Sequence, residues 1–251
     1  ALSALVGALL LCTASGARSA PAGQPAQPPT FSDCVLTTPG TPLSAQATCA
    51  TLPVPEDRTR PRGRQIDLRI ARVDARRGDD RAPDPLYLFA GGPGQAATEI
   101  WPALASALER VNRYRDVILV DQRGTGASNR LDCPYPEAPI GEEPPLEELL
   151  AGLRQCAVEL DADPRRYTTG DAADDIEAVR EALGHAAVNL LGISYGTRAA
   201  QVYLRRYPER VRSLVLDGVV PPRVLLGTEH APLLDRALDT LFARCRADEA
   251  C

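Results

Sequence analysis

The feature that most constrains the fold is a Gly-x-Ser-x-Gly sequence at residues 192–196, placed between two different hydrophobic patterns. An unbroken apolar run at 188–191 precedes it, and an amphipathic run begins after it at Ala199. The first pattern predicts a buried strand and the second a helix, so Ser194 would lie on a sharp strand-to-helix turn. Free N–H groups at the start of that helix could stabilise an oxyanion. The sequence therefore predicts that Ser194 is a nucleophile.

The rest of the chain alternates strand and helix patterns. Residues 64–75 alternate apolar and polar side chains, as in a half-buried antiparallel strand. Apolar runs predict buried strands at 86–89, 117–120 and 212–218, and amphipathic runs predict helices at 100–111, 146–160, 172–183 and 231–246. This alternation predicts an α/β protein with a mainly parallel sheet and helices on both faces.

Loops that follow parallel strands meet at one edge of a sheet, and functional groups are usually found there. Such loops begin at Ala90, Asp121 and Asp217, and Ser194 follows a strand in the same way. The loop at 121–128 looks like a phosphate loop, but it lacks a Gly-Lys-Ser/Thr ending and opens into no helix. We therefore expect no nucleotide site there, and expect Asp121 and Arg123 to hold the loop by charge-assisted hydrogen bonds.

The amino-terminal residues are typical of an exported protein. The chain contains no methionine, so we expect that it does not begin at a natural start codon. Residues 2–11 are apolar and small residues follow, as in a secretory signal that has lost its basic segment. We interpret 1–17 as this remnant and 18–30 as a Pro/Ala-rich linker. The apolar run is too short to span a bilayer, and Cys12 follows leucines, which argues against a lipid anchor.

Seven cysteines indicate an oxidising compartment, periplasmic or extracellular. Six remain when Cys12 is set aside, and six permit several pairings. Local spacing favours Cys34–Cys49, Cys133–Cys156 and Cys245–Cys251. Each bond would stabilise its loop by ~2–4 kcal/mol. The competing interpretation is a metal site, but there is no Cys-x-x-Cys and histidine is scarce.

Neither a metal, another cofactor nor a nucleic acid is expected. Asp171, Asp174 and Asp175 begin the predicted helix at 172–183, where we expect them to be solvated rather than to bind a metal. The formal net charge is −5, and no block of basic residues or stripe of aromatics with arginine occurs.

Taken together, these segments resemble the α/β-hydrolase fold and, more narrowly, the exported prolyl and tripeptidyl aminopeptidase family of serine peptidases. The matching sequences, in family order, are Ala90-Gly91-Gly92-Pro93-Gly94, Asp121-Gln122-Arg123-Gly124-Thr125-Gly126-Ala127-Ser128, Gly192-Ile193-Ser194-Tyr195-Gly196-Thr197 and Leu216-Asp217-Gly218. Ala90 stands where the family usually has histidine. The resemblance implies a hydrolase core over 31–222, a cap region beginning at 223–251, and an oxyanion hole formed by the N–H groups of Tyr195 and Gly92.

A serine nucleophile needs a histidine base oriented by a carboxylate, and the chain has two histidines. His185 precedes the strand of Ser194, which puts it roughly 25 Å away at the other end of the sheet. Asp217 and His230 follow Ser194 in the order that this fold requires. However, His230 lies beyond a Pro-Pro break with no further strand, which favours a surface position at the start of a cap helix.

The resemblance implies two further strands, one followed by the acid and the other by the histidine. We therefore expect the chain to be an incomplete hydrolase that lacks its C-terminal strands and most of its cap. On this interpretation the chain alone is inactive, and its last strand is an edge that exposes apolar surface.

Three functions stay open. The first is an exported aminopeptidase that releases residues or short peptides from substrate N-termini through an acyl-enzyme on Ser194. The second is a carboxylesterase on the same fold, acting on small esters. The third is a non-catalytic binding protein, which the intact serine turn argues against because a strained serine turn has little structural use.

Overall fold

In the computed structural model of the protein, residues 28–134, 144–248 and 251 are described. The predicted signal, Cys12 and most of the Pro/Ala-rich linker lie outside the described residues. So does most of segment 134–145, whose proline and glutamate content predicts a loop. The strands are β1 Ser32–Thr37, β2 Ser44–Pro55, β3 Gln65–Val73, β4 Leu86–Phe89, β5 Val117–Val120, β6 Val188–Ile193 and β7 Val211–Asp217. The helices are α1 Ala97–Leu104, α2 Glu109–Asn112, α3 Leu146–Glu159, α4 Thr169–Ala182, α5 Tyr195–Arg206 and α6 His230–Ala247.

The described strands form one mixed sheet in the order β1-β2-β3-β5-β4-β6-β7. Strands β4 to β7 are parallel to their neighbours within that group. Strand β3 joins β2 and β5 in antiparallel pairs, as its alternating pattern predicts. The carboxyl ends of the four parallel strands therefore meet at one edge of the sheet, where the candidate site is found.

Two hydrophobic cores form because successive side chains of a strand point to opposite faces. On β4, Tyr87 and Phe89 pack with α4 and α5, whereas Leu86 and Leu88 pack with α1 around Trp101. Strand β5 alternates in the same way. The predicted covering of both faces by helices is confirmed.

The single helix predicted at 100–111 is wrong in its bounds. The chain forms α1 and then the short α2, and residues 105–108 between them belong to neither helix. Helix α1 begins earlier than the apolar pattern indicates because the Asp121 carboxylate accepts the Thr98 N–H. Pro102 lies inside α1 and has no N–H to donate, which weakens the helix before its end at Leu104.

Strand β7 is an edge strand that exposes apolar surface, as we expect for the last strand of an incomplete hydrolase, although its apolar sequence alone predicts a buried strand. Its only partner strand in the described part of the chain is β6, and the Val215 side chain is 56% exposed. An apolar sequence alone does not distinguish a central strand from an edge strand, because the distinction depends on what pairs with it.

All three predicted disulfides are present. The bonds join Cys34 to Cys49, Cys133 to Cys156 and Cys245 to Cys251, with Cα separations of 5.8, 5.5 and 5.2 Å. The first connects β1 with β2, so it closes the hairpin at the antiparallel edge of the sheet.

A buried ion pair joins the loop after β5 to helix α4. The Arg123 guanidinium donates two hydrogen bonds of 2.6 Å to the Asp175 carboxylate, and both side chains are 1% exposed. Arg58 donates to the same carboxylate. The prediction of a solvated aspartate is therefore wrong for Asp175, because Arg123 reaches it from a loop 52 residues earlier in the chain.

Removing one partner of this pair should destabilise the fold strongly. We expect Asp175→Ala to lower the free energy of unfolding by ~3–5 kcal/mol, because it leaves the Arg123 guanidinium buried without a counter-charge. The measurement is urea denaturation followed by circular dichroism.

The matched control is Glu109→Ala in the pair Arg76–Glu109, whose side chains are 55% and 57% exposed. This change should cost no more than ~1 kcal/mol because water screens an exposed pair. Equal losses in the two variants would contradict the structural role given to Arg123–Asp175.

Candidate active site

Ser194 lies on the turn between β6 and α5 in a backbone conformation that is rare for a side-chain-bearing residue. Its φ is 52° and its ψ is −121°, and the residue is exposed to solvent. The Ser194 N–H donates to the Asp217 carbonyl at 2.8 Å, and the Ser194 carbonyl accepts from the Thr197 hydroxyl at 2.6 Å. Such strained residues persist only where their surroundings fix them, and they cluster at functional sites.

Two glycines permit this turn because a side chain would have no room at either position. A Cβ on Gly196 would lie 2.0 Å from the Phe89 carbonyl oxygen, and a Cβ on Gly192 would lie 2.6 Å from the Gly196 carbonyl oxygen. Helix α5 therefore begins in direct contact with the end of β4. The predicted strand-to-helix turn is confirmed.

The loop after β4 lies directly against Ser194. A Cβ on Gly91 would be 3.2 Å from the Ser194 Cβ, and the next residue, Gly92, is exposed with φ of +100°. On the other side of the turn, Tyr195 is the first residue of α5, where N–H groups have no acceptor within the helix. The two residues predicted for an oxyanion hole thus belong to segments that flank the serine.

Asp121 fixes the start of α1 and therefore the end of the loop after β4, which contains Gly91. Its buried carboxylate accepts the Thr98 N–H and hydroxyl at 2.9 Å each and the Ala127 N–H at 3.2 Å. Burial raises the pKa of Asp121 above its ordinary value, and the hydrogen bonds from Thr98 oppose that rise. The predicted role of Asp121 in holding its loop is confirmed, and the same bonds anchor the neighbouring loop.

Asp217 and His230 are both exposed. The main-chain carbonyl of Asp217 contacts Ser194, but its carboxylate forms no hydrogen bond or ion pair with the described residues. His230 is the first residue of α6, and its N–H donates to the Gly227 carbonyl. Within the part of the chain that the structure describes, no side chain hydrogen bonds to the Ser194 hydroxyl. The assignment of Asp217 and His230 as triad partners therefore stays a prediction.

His185 is engaged away from the candidate site. It lies just before β6, at the opposite end of that strand from Ser194, as predicted. Its Nδ1 is 2.9 Å from the Tyr87 hydroxyl oxygen. Burial, assisted by the charge of Arg81, lowers the pKa of His185 to about 4. Its contacts and position are those of a structural residue.

Sequence reasoning missed Thr98 and Thr169. Thr98 carries the bonds to Asp121, and the Thr169 hydroxyl oxygen lies 2.7 Å from the Tyr195 hydroxyl oxygen. Both threonines lie in the first turn of a helix, where short polar side chains commonly bond to neighbouring groups. That preference marks them as local anchors, but it does not identify the distant partners.

The described residues contain no group of three or more histidine, cysteine, aspartate or glutamate side chains that could hold a metal ion. They also include no helix long and apolar enough to cross a membrane.

A serine on a strand-to-helix turn, at the carboxyl edge of a parallel sheet and facing a glycine loop, defines the class as the α/β hydrolases. Residues 84–244 match the alpha/beta hydrolase fold, and the chain belongs to that family. The family resemblance read from the sequence is thus confirmed.

Several curated relatives are peptidases or esterases by name. The chain is 29% identical over 244 residues to Serine protease Hip1 of Mycobacterium tuberculosis, covering 90% of this chain and 46% of the relative. It is 30% identical over 191 residues to Tripeptidyl aminopeptidase of Streptomyces coelicolor, covering 69% and 35%. It is 32% identical over 225 residues to Carboxylesterase B of Mycobacterium tuberculosis, covering 82% and 43%.

The solved structures that resemble the chain include a proline iminopeptidase-related protein from Thermus thermophilus. Its TM-score is 0.41 at 25% identity, covering 66% of this chain and 43% of that one. The chain spans about half the length, 46%, of the curated Hip1 relative that it matches.

The contact between α5 and β4 generates a stability prediction. We expect Gly196→Ala to destabilise the fold by ~3 kcal/mol or more, because the new methyl group overlaps the Phe89 main chain, which cannot move aside cheaply. Thermal unfolding followed by circular dichroism measures the effect.

The matched control is Gly78→Ala, because a Cβ on Gly78 would have nothing within 4 Å. That substitution should change stability by less than ~1 kcal/mol. If Gly196→Ala were as stable as Gly78→Ala, the close approach of α5 to β4 would be wrong.

Proposed function

We propose that this protein is a serine hydrolase in which Ser194 attacks the carbonyl carbon of a peptide or ester. The observation that carries the proposal is the exposed Ser194 in its strained conformation. The loop after β4, which contains Gly91, contacts it on one side, and helix α5 begins on the other. A strained turn that only connected two elements would not need a hydroxyl at its most exposed point.

The reaction has two stages, acylation of Ser194 and hydrolysis of the acyl-enzyme. The Ser194 Oγ forms a bond to the carbonyl carbon and gives its proton to a base, while the carbonyl oxygen becomes an oxyanion. The N–H groups of Tyr195 and Gly92 stabilise that oxyanion. Collapse of the intermediate breaks the bond to the leaving amine or alcohol, which takes up the proton. Water then attacks the acyl carbon and gives a proton to the base. The bond from that carbon to the Ser194 Oγ breaks, and the proton returns to the serine oxygen.

No described side chain contacts the Ser194 hydroxyl as a general base. His185 is hydrogen bonded to Tyr87. His230 makes no hydrogen bond to Ser194 among the described residues. Acylation of Ser194 in this chain should therefore be slow, driven by the oxyanion hole and by substrate binding alone. A small base in solution should accelerate it.

The more specific proposal is an exported aminopeptidase that releases residues or short peptides from substrate N-termini. Its support is the similarity to Tripeptidyl aminopeptidase of Streptomyces coelicolor and to Serine protease Hip1. Export is supported by three disulfides, since such bonds persist in oxidising compartments. In this proposal residues 31–222 form the hydrolase core and residues 223–251 begin a cap, and α6 has no buried residue, as a segment outside the core would.

The test is labelling of the 251-residue chain with a fluorophosphonate, with and without added imidazole. We expect slow labelling of Ser194, mapped by mass spectrometry, and an acceleration of roughly tenfold or more by imidazole acting as the base. Ser194→Ala should abolish the labelling.

A second control tests whether His230 is the base. His230→Ala should label at the same slow rate as the unmodified chain, whereas a loss of labelling would make His230 the base. Absence of any adduct on Ser194 in the presence of imidazole would overturn the hydrolase proposal and favour a binding protein.

The second candidate is a carboxylesterase, which the similarity to Carboxylesterase B favours. An aminopeptidase must recognise the free amino group of its substrate, and an esterase need not. We therefore expect free aminoacyl nitrophenyl esters to acylate Ser194 faster than their N-acetylated forms, measured by nitrophenol release with imidazole present. Equal rates for the two series would favour the esterase.

A further inference from the structure

A cavity of about 170 Å³ adjoins the Ser194 turn. Its walls come from the loop after β4, the loop after β5, the start of α4 and the first residue of α5. Tyr195, one of the two proposed oxyanion donors, lies in the cavity wall and follows Ser194 directly in the chain. Its rim residues Pro93, Gly94 and Thr168 are exposed, so it is open to solvent beside the serine.

The one arginine in its wall is ion-paired within the protein. The guanidinium of Arg123 is held by both oxygens of Asp175 and donates to the carbonyls of Glu56 and Arg166 at 2.9 and 2.7 Å. All these bonds are made within the fold, so most N–H groups of the Arg123 guanidinium are already occupied and are not available to a ligand. A charged side chain entering the cavity would lose water without gaining a partner.

Two tyrosines of the wall also have their polar atoms occupied. The Tyr167 hydroxyl donates to the Glu56 carboxylate at 3.1 Å and accepts from Asn129 at 2.6 Å. Burial and the Glu56 charge raise the pKa of Tyr167 to about 12, so the hydroxyl stays neutral. The Tyr195 hydroxyl pairs with Thr169. The rings are therefore held in fixed positions, and their hydroxyl groups are already hydrogen bonded.

The cavity is small because its wall residues are fixed. A Cβ on Gly124 would lie 3.0 Å from the Tyr167 ring, so this glycine lets the ring close against the loop. Ala172, on α4, contributes only a methyl group to the wall. Pockets for whole ligands measure roughly 300–1,000 Å³, so this volume suits a single side chain.

We propose that this cavity binds the side chain of the substrate residue whose carbonyl carbon Ser194 attacks, and that it selects an uncharged, apolar side chain of about the size of leucine. This inference rests on the proposed function. The place of Tyr195 in the wall, directly after Ser194, indicates the acyl side of the scissile bond. The occupied polar groups of Arg123 and of the two tyrosines indicate the chemistry.

The test uses aminoalkyl boronic acids that carry the side chains of leucine, glycine, lysine and aspartate. Boron accepts the Ser194 oxygen in a reversible tetrahedral adduct, and the serine proton passes to the solvent. Binding to the 251-residue chain is measured by isothermal titration calorimetry. We expect the leucine analogue to bind roughly tenfold or more tightly than each of the other three, because only it buries apolar area without a charge.

The variant that fills the cavity is Ala172→Leu, and it should reduce the preference for the leucine analogue to less than ~3-fold. The matched control is Ala178→Leu on the same helix, which borders a separate cavity of about 390 Å³ and should keep the full preference. The ranking in the unmodified chain tests the proposal independently of how either variant folds.

The outcomes separate the two proposals. Loss of all boronate binding in Ser194→Ala, with the leucine analogue ranked first in the unmodified chain, supports both. Equal binding of the four analogues, or a leucine preference that Ala172→Leu leaves unchanged, overturns the cavity assignment while the serine adduct stands. Absence of binding, or binding that survives Ser194→Ala, overturns the proposed function and the cavity assignment with it.

Discussion

The close approach of helix α5 to the end of strand β4 is the constraint on which the site depends. A Cβ on Gly196 would lie 2.0 Å from the Phe89 carbonyl oxygen, so the two backbones meet where only glycine fits. The chain must turn sharply between β6 and α5 to make this contact, and Ser194 takes the positive φ of that turn. Its hydroxyl is exposed as a consequence, next to the first N–H of the helix. Backbone packing thus sets the geometry of the proposed nucleophile.

A second set of interactions holds the loops around the serine. Buried Asp121 ties the start of α1 to the loop after β5, and the pair Arg123–Asp175 ties that loop to α4. These groups fix the segments that carry Gly92 and line the cavity. The proposed oxyanion hole depends on this, because such donors are effective only when they are held in place before the reaction.

Much of the fold could be predicted from the sequence because the signals are local. Apolar runs predicted β4 to β7, an alternating pattern predicted β3, cysteine spacing predicted the disulfides, and the Gly-x-Ser-x-Gly sequence predicted the turn at Ser194. Strands β1 and β2 were not predicted. What could not be predicted depends on distant partners. Asp175 is buried because Arg123 reaches it from 52 residues away, and α1 begins early because of Asp121. The same limit applies to the cavity, whose wall combines four separate segments that no sequence pattern connects.

The central claim is that Ser194 is held so that a tetrahedral oxyanion formed on it meets the N–H groups of Tyr195 and Gly92. The most direct measurement is a crystal structure of the chain after phosphonylation of Ser194. The account predicts a phosphoryl oxygen within ~2.7–3.1 Å of both amide nitrogens, with Ser194 still at positive φ. A phosphoryl oxygen directed into solvent and away from both amides, or a serine that has relaxed to negative φ, would contradict it.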